Sequence, residues 1–298
     1  MKVRIPKYIK VLFTAVLIVL LVKAFAFSSC TIPSTGMENS LYQGERVLVN
    51  KWSYGLRIPF TTVRFLADKG KKGDIMLFNN PTPASWEKPV FARDLFISRC
   101  VGMPGDTLML NEELLVTGEK ALSPDSKILY AYPYTAEDTL QQVMNTLGIQ
   151  KNPLIGYADG MYVRSFSHYE YYLLKQKLHG QVDLHPVHKN DSTGSHPFVI
   201  PAKGKKVQVY PWNMTLLCNT LVHHEQRKAE IKNDTLYVEG KPVTWCVFNK
   251  DYYWMASNNP VNLYDSRLFG LVPHDHLIGR VFTIWYSPKK ERIFQPVQ

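Results

Sequence analysis

The sequence predicts a mainly β protein, built on antiparallel pairing, that stands behind one apolar N-terminal helix. Three observations predict it. Short runs rich in β-branched and aromatic residues recur along the chain, bounded by Gly, Pro or Asn. Tight turns separate two pairs of such runs, Lys232-Asn233-Asp234-Thr235 and Glu239-Gly240-Lys241. The N-terminus joins a basic start to an apolar stretch. Strand-like runs do not alternate with helical ones, which argues against a parallel doubly wound sheet.

In chain order the apolar stretch comes first. Lys2, Arg4, Lys7 and Lys10 precede Val11–Val22, and Lys23 separates that run from Ala24-Phe25-Ala26-Phe27. The central run alone is short for a membrane span. With Lys23 reaching towards an interface, residues 8–27 make a helix of about 30 Å, which suffices. Basic residues ahead of a span predict a cytoplasmic segment 1–7, a membrane anchor 8–27 and an exported body 28–298, on the outer side of the cytoplasmic membrane. A cleaved signal peptide has the same pattern. Phe27-Ser28-Ser29-Cys30 is also a poor lipobox, in which Cys30 would carry lipid. All three readings export the body.

Composition agrees. Over 298 residues, 45% hydrophobic content with both signs of charge excludes global disorder. The net charge of +10 points to nucleic acid or an anionic membrane surface. No nucleic-acid-binding signature accompanies it, so the membrane is the expected partner. The oligomeric state is not legible. Four cysteines are too few for a disulfide scaffold. Cys218 and Cys246 both lie in apolar, strand-like runs and either pair in an oxidising compartment or stay as buried thiols.

The predicted strands are Arg46–Asn50, Ile75–Phe78, Leu95–Val101, Leu236–Val238, Tyr252–Met255 and Val281–Trp285. One helix starts at Thr135-Ala136-Glu137-Asp138, which resembles a capping box. It carries Leu140, Val143, Met144 and Leu147 on one face and closes at Gly148. A second spans about His168–Leu178, with Tyr169, Tyr171, Tyr172, Leu173 and Leu174 as core. Residues 181–197 are His-, Asp- and Pro-rich and read as an exposed loop. His185 and His188, with His179 and His196, lack the carboxylate pattern of a metal site, and Gly102-Met103-Pro104-Gly105-Asp106 lacks a P-loop Lys. No metal and no cofactor are expected.

Five ordered boxes carry a resemblance. They are Ile32-Pro33-Ser34-Thr35-Gly36-Met37-Glu38-Asn39-Ser40-Leu41; Gly44–Lys51 with Tyr54-Gly55; Gly73–Phe78 ending at Pro81; Phe96–Asp106; and Tyr252–Arg280 with Asp265-Ser266-Arg267. Together they resemble the bacterial type I signal peptidases. The resemblance implies an antiparallel signal-peptidase fold with residues 112–200 as an inserted α/β subdomain, a single anchor, and signal peptides of exported precursors as partners. It implies a Ser–Lys dyad, in which the Ser oxygen attacks a peptide carbonyl and a neutral Lys amine takes its proton. It gives Ser34 an oxyanion-assisting role, Ile32, Pro33 and Met37 a place beside the substrate, and Asp265 and Arg267 a supporting ion pair next to Ser266.

The chain departs from this pattern at the chemistry. The nucleophile position is Gly36 and the Lys position is Ser98. Arg99 cannot replace the base, since a guanidinium stays protonated. Ser34 and Thr35 flank the missing nucleophile. If the segment is extended, Ser34 lies about 6–7 Å along from Gly36 and Thr35 faces the other side. The family's Gly-Asp-Asn-Arg is Ala256-Ser257-Asn258-Asn259, and the stretch from there to Asp265 is one residue longer. The expectation is a family member without catalysis that still binds signal-peptide-like segments by strand addition. The rivals are an active signal peptidase, a serine endopeptidase with a relocated nucleophile or base, and an envelope protein that kept only the fold.

Overall fold

The computed structural model describes residues 7–111, 114, 116, 125–149, 152–187, 194–262 and 264–297. Lys2, Arg4 and His188 lie outside the described residues.

Seven strands form the main sheet: β1 Phe27–Thr31, β2 Arg46–Asn50, β3 Ile75–Asn79, β4 Leu95–Gly102, β5 Tyr252–Ala256, β6 Val272–Pro273 and β7 Leu277–Tyr286. Their spatial order is β1-β2-β7-β3-β4-β5-β6, and every pairing is antiparallel. Side chains alternate across a strand. On β3, Ile75 and Leu77 therefore join Ile32, Met37, Leu41, Val47 and Val49 on one face. Met76 and Phe78 join Tyr54, Cys100, Tyr253 and Phe269 on the other. Both faces of the central strands are covered, which explains why β3 and β5 read as unbroken apolar runs.

Ahead of the sheet runs a helix, α1 Lys7–Leu21, which continues as a π-turn over Val22–Ala26. This 20-residue segment is long and apolar enough to cross a membrane. Its side chains lie almost wholly outside the protein core and its last residue runs directly into β1. Lys51 Nζ donates to the carbonyls of Lys23 (2.9 Å) and Ala24 (3.2 Å), satisfying acceptors that a helix end leaves open. Cys30 lies mid-strand in β1, half-buried beside the Ile32 cluster.

A second, smaller sheet takes Lys127–Pro133 as a central strand, flanked by His185–Pro186 and Met161–Ser167, with Gly156–Ala158 at the far edge. Two helices, α2 Glu137–Leu147 and α3 His168–Leu178, pack on it. They enclose a core of Tyr130, Tyr132, Leu140, Met144, Phe166, Leu174 and Leu178. These elements make an α/β lobe beside the main sheet.

The lobe corrects several expectations. No side chain caps α2: Tyr134–Ala136 forms a 3₁₀ turn and Ala136 takes the cap position. Glu137 instead accepts from Tyr132 Oη and Arg164, which draws it away from capping. Gly148 does close α2, at φ 68°. The capping box lies on α3, where Ser167 Oγ accepts from Glu170 N (3.2 Å) and Glu170 Oε2 from Ser167 N (2.8 Å). Tyr169 and Tyr172 point to solvent rather than core, because only one face of α3 meets the sheet. Within 181–197, Val182 and Leu184 are buried and His185–Pro186 is an edge strand, so that stretch is not simply an exposed loop.

A further correction concerns Cys218. It lies on a helix, α4 Met214–His224, not on a strand. Leu217, Cys218 and Leu221 turn into the large core around Trp254, where Cys246 also sits. All four cysteines are free thiols.

Candidate active site

The Ile32–Leu41 segment leaves β1 and turns at once. Ile32 N donates to Glu45 O (2.8 Å) and Gly44 N donates to Ile32 O (2.9 Å), so both backbone groups of Ile32 are already paired. Glu38 N then bonds to Thr35 O (3.0 Å) and Leu41 N to Met37 O (2.7 Å). The segment is a series of tight turns, not the extended run on which the Ser34–Gly36 spacing rested. The apolar letters of the box explain why. Ile32, Met37 and Leu41 bury their side chains in one core cluster, which requires the chain to curl around them. Pro33 stays exposed. Ser34 Oγ accepts from Gly36 N at 3.4 Å.

Gly36 is buried, and its backbone lies outside the left-handed region, so glycine is not demanded by the fold. A Cβ built there would meet Asn262 O at 3.0 Å, Ser34 Oγ at 3.6 Å and Ser257 Oγ at 4.0 Å. Two further bonds seat the loop after β5 on the box. Asn259 N donates to Gly36 O (3.0 Å), and Asn262 Nδ2 donates to Thr35 Oγ1. A backbone carbonyl therefore faces the place where the family's Ser would begin.

Ser98 lies on β4 opposite Met76 and is fully buried. Its Oγ donates to Tyr264 O at 2.8 Å, and Tyr264 N donates to Ser257 Oγ at 3.4 Å. Ser257 thus lies near both Gly36 and Ser98: its Oγ is 4.0 Å from a Cβ added at Gly36, and it is bonded to Tyr264, whose carbonyl accepts from Ser98. Gly36 and Ser98 both face the loop after β5: Asn259 and Asn262 meet the first, and Tyr264 O accepts from the second. Arg99 points away, donating to Gly73 O (2.9 Å) and Ser40 Oγ (2.7 Å).

The Asp265-Ser266-Arg267 segment keeps a complete bonding pattern. Asp265 is fully buried and accepts from Ser257 N (2.7 Å), Arg267 Nε (3.0 and 3.2 Å) and Arg267 Nη2 (2.5 Å). It also caps the short turn Ser266–Phe269 through Arg267 N (3.1 Å). Ser266 Oγ accepts from Met255 N at 2.8 Å. These residues fix the end of β5. Charge-assisted and multiply bonded pairs of this kind are rigid supports.

One pair was not foreseen from sequence. Lys127 Nζ is 2.9 Å from Glu38 Oε2 and 2.6 Å from Asn152 Oδ1, with both side chains buried. Asn259 Nδ2 reaches the same Glu38 oxygen at 3.4 Å. Lys127 N donates to Asn258 O (2.6 Å), and Asn258 Nδ2 donates to Glu38 O (3.1 Å) and Ser40 Oγ (2.8 Å). The box, the loop after β5 and the lobe are knitted into one polar network. A Lys opening the apolar run Ile128-Leu129 and a Glu directly after Met37 were its only traces in sequence. Above it opens a cleft of about 690 Å³, lined by Thr35, Gln43, Asn145, Asn152, Val261 and Asn262 among others.

Among the described residues, no cluster of three or more His, Cys, Asp or Glu could hold a metal ion. His185 is exposed and pairs with Asp183 at 2.9 Å.

Similarities to known proteins bear on this arrangement. The family model described as signal peptidase, peptidase S26, matches residues 5–192. The chain is 33% identical to a signal peptidase I of Pseudomonas fluorescens over 294 residues, covering 94% of this chain and 72% of the relative. It is 26% identical to a signal peptidase I of Buchnera aphidicola subsp. Baizongia pistaciae over 284 residues (94% and 76%) and 24% identical to one of Helicobacter pylori over 280 residues (91% and 79%).

Proposed function

Because the chain belongs to the signal peptidase family, peptidase S26, we propose that it is a membrane-anchored member that binds exported precursors without cutting them. One observation carries the non-catalytic half. The nucleophile position has no side chain and faces Asn262 O at 3.0 Å from an added Cβ, while the base position is a hydroxyl that donates to Tyr264 O. Acyl transfer needs an oxygen nucleophile and a group to take its proton, held in near-attack geometry. Ser98 Oγ spends its proton on a carbonyl and has no amine partner among its bonds.

The active alternative fares less well on geometry. Thr35 Oγ1 is engaged by Asn262, and Ser34 Oγ by Gly36 N. One amine does reach the box, that of Lys127, but it lies 2.9 Å from the Glu38 carboxylate. Its bonds go to Glu38 Oε2 and Asn152 Oδ1, not to Ser34 or Thr35, so it is not placed to take a proton from either hydroxyl.

For peptide binding the support is the outer edge of β4. β5 pairs with β4 only from Arg99 to Gly102, so Leu95–Ile97 have a strand partner on one side alone. That edge is suited to strand addition by an extended peptide. We place the body on the outer side of the cytoplasmic membrane, following the basic residues ahead of α1.

The test is rescue. Gly36→Ser should not restore preprotein cleavage, because no base is present. Gly36→Ser with Ser98→Lys should restore it in part if the loop after β5 can yield. A fluorescent signal peptide should bind the unmodified chain in detergent, and Gly36→Trp should abolish that binding. Cleavage by Gly36→Ser alone, or equal binding by the Trp variant, contradicts the proposal.

A further inference from the structure

Resting on the peptide-binding reading just proposed, we infer that the α/β lobe adds a second subsite, which takes the uncharged, extended stretch of a precursor lying beyond Gly36. The cleft of about 690 Å³ begins at the box and ends at the C-terminal end of α2. One wall is Thr35, Asn259, Val261 and Asn262; the other is Met144, Asn145, Ile149 and Pro153 from the lobe.

Its chemistry selects the ligand. Carboxamides line it: Gln43, Asn145, Asn152, Asn259 and Asn262. Asn152 and Asn259 use both ends of their amides within the protein, on Lys127, Glu170, Glu38 and Val261 N; the Asn145 amide, Gln43 Oε1 and Asn262 Oδ1 are the groups that match a peptide backbone. Apolar surface between them, from Met144, Ile149, Pro153 and Val261, fits small or aliphatic side chains. The one acidic side chain in the lining, Glu38, is paired with Lys127 at 2.9 Å. A charged side chain entering here would lose water and find no counter-charge, so the cleft discriminates against it.

Position ties the cleft to the groove. Asn259 N bonds to Gly36 O, and Asn262 bonds to Thr35. The same loop that plugs the dyad therefore forms the near wall of the cleft. A strand lying along the β4 edge and across the outside of that loop is delivered into it. The cleft is also not a loose gap. Its floor is the buried Lys127–Glu38–Asn152 network, which fixes the separation of the two walls.

The experiment uses the full chain in detergent and two fluorescent peptides. One ends at the residue after the signal-peptide junction. The other continues for several uncharged residues. The longer peptide should bind at least tenfold more tightly. Val261→Trp or Asn145→Trp, both at exposed positions, should remove that gain and leave the short peptide's affinity unchanged. An Asp-rich extension should bring no gain. If the short peptide binds and the extension adds nothing, or if the Trp variants keep the gain, the subsite is refuted and groove binding stands. If neither peptide binds, both readings fall.

Discussion

Two regions of this protein, a few residues apart in the loop after β5, have had opposite fates. At its far end Asp265 and Arg267 hold a buried, multiply bonded ion pair that ties Ser257 and the end of β5 in place. At its near end the same loop meets Gly36 and Ser98, with Asn262 O facing the first and Tyr264 O accepting from the second. The difference separates two demands that an active enzyme imposes on one segment. Supporting residues are kept by the folding free energy, since removing half of a buried pair is expensive. On the proposed reading, the reactive residues contributed little to folding, so their replacement leaves the sheet intact.

The sharpest way to break this comparison is to remove the support. Asp265→Ala leaves Arg267 without its partner and Ser257 N without an acceptor. It should cost about 3–5 kcal/mol, read as a drop in denaturant midpoint. Lys127→Met should cost a similar or slightly smaller amount, because Glu38 stays buried and unpaired. Glu38→Gln with Lys127→Met should recover much of that loss. If Asp265→Ala behaves like a surface substitution, the scaffold role is wrong.

Acid probes the scaffold from another side. His276 Nδ1 pairs with Asp275 Oδ1 (2.8 Å) and its Nε2 with Arg93 Nη1 (3.2 Å), while Lys250 holds Asp275 at 2.8 Å. Burial keeps His276 below its ordinary value, with Asp275 partly offsetting this, and burial brings His224 down to about 3. Burial pushes the Asp275 carboxyl up, but its His276 and Lys250 partners outweigh that and hold it low. The signs agree. A histidine held neutral in the fold takes a proton first when unfolded, so its stability contribution is full above its ordinary value and shrinks as pH falls below 6.5. The carboxylate adds a further loss below its ordinary 3.8. A melting series from pH 8 to 4 should therefore fall steadily on the acid side. His276→Gln should flatten the upper part of that fall.

The smallest effect belongs to the plugged end. Gly36→Ser introduces a Cβ at 3.0 Å from Asn262 O, so the loop must give by a few tenths of an ångström. The change should cost about 1 kcal/mol.

Most of the main sheet was legible in the sequence, because its strands are short, apolar and bounded by turn residues. Arg46–Asn50 was read to the residue. The turns at Asn233-Asp234 and Glu239-Gly240 sit where expected, each residue at positive φ. The helix α4 was hidden because Met214–Val222 is apolar on several faces and contains β-branched residues, which leaves no clean period. The conformation of the box was misjudged for a related reason. Ile32 and Met37 read as part of a substrate-flanking strand, but they share one core cluster with Leu41, and burial there overrides extension. The match of Gly36 and Ser98 to the family's dyad rests on flanking letters alone. What faces Gly36 and Ser98 was not legible, because it depends on how the loop after β5 folds back over the box.

The central claim is the absence of catalysis at Gly36 and Ser98. The direct measurement is turnover of a purified preprotein by the full chain in detergent, run beside an active signal peptidase. In a dissected serine protease, losing the nucleophile costs about 10⁶-fold and leaves roughly 10³–10⁴ over water. The account predicts cleavage indistinguishable from the no-enzyme control on the timescale in which the active enzyme completes the reaction. Cleavage at the signal-peptide junction within a hundredfold of that enzyme, abolished by Ser34→Ala or Thr35→Ala, would contradict it.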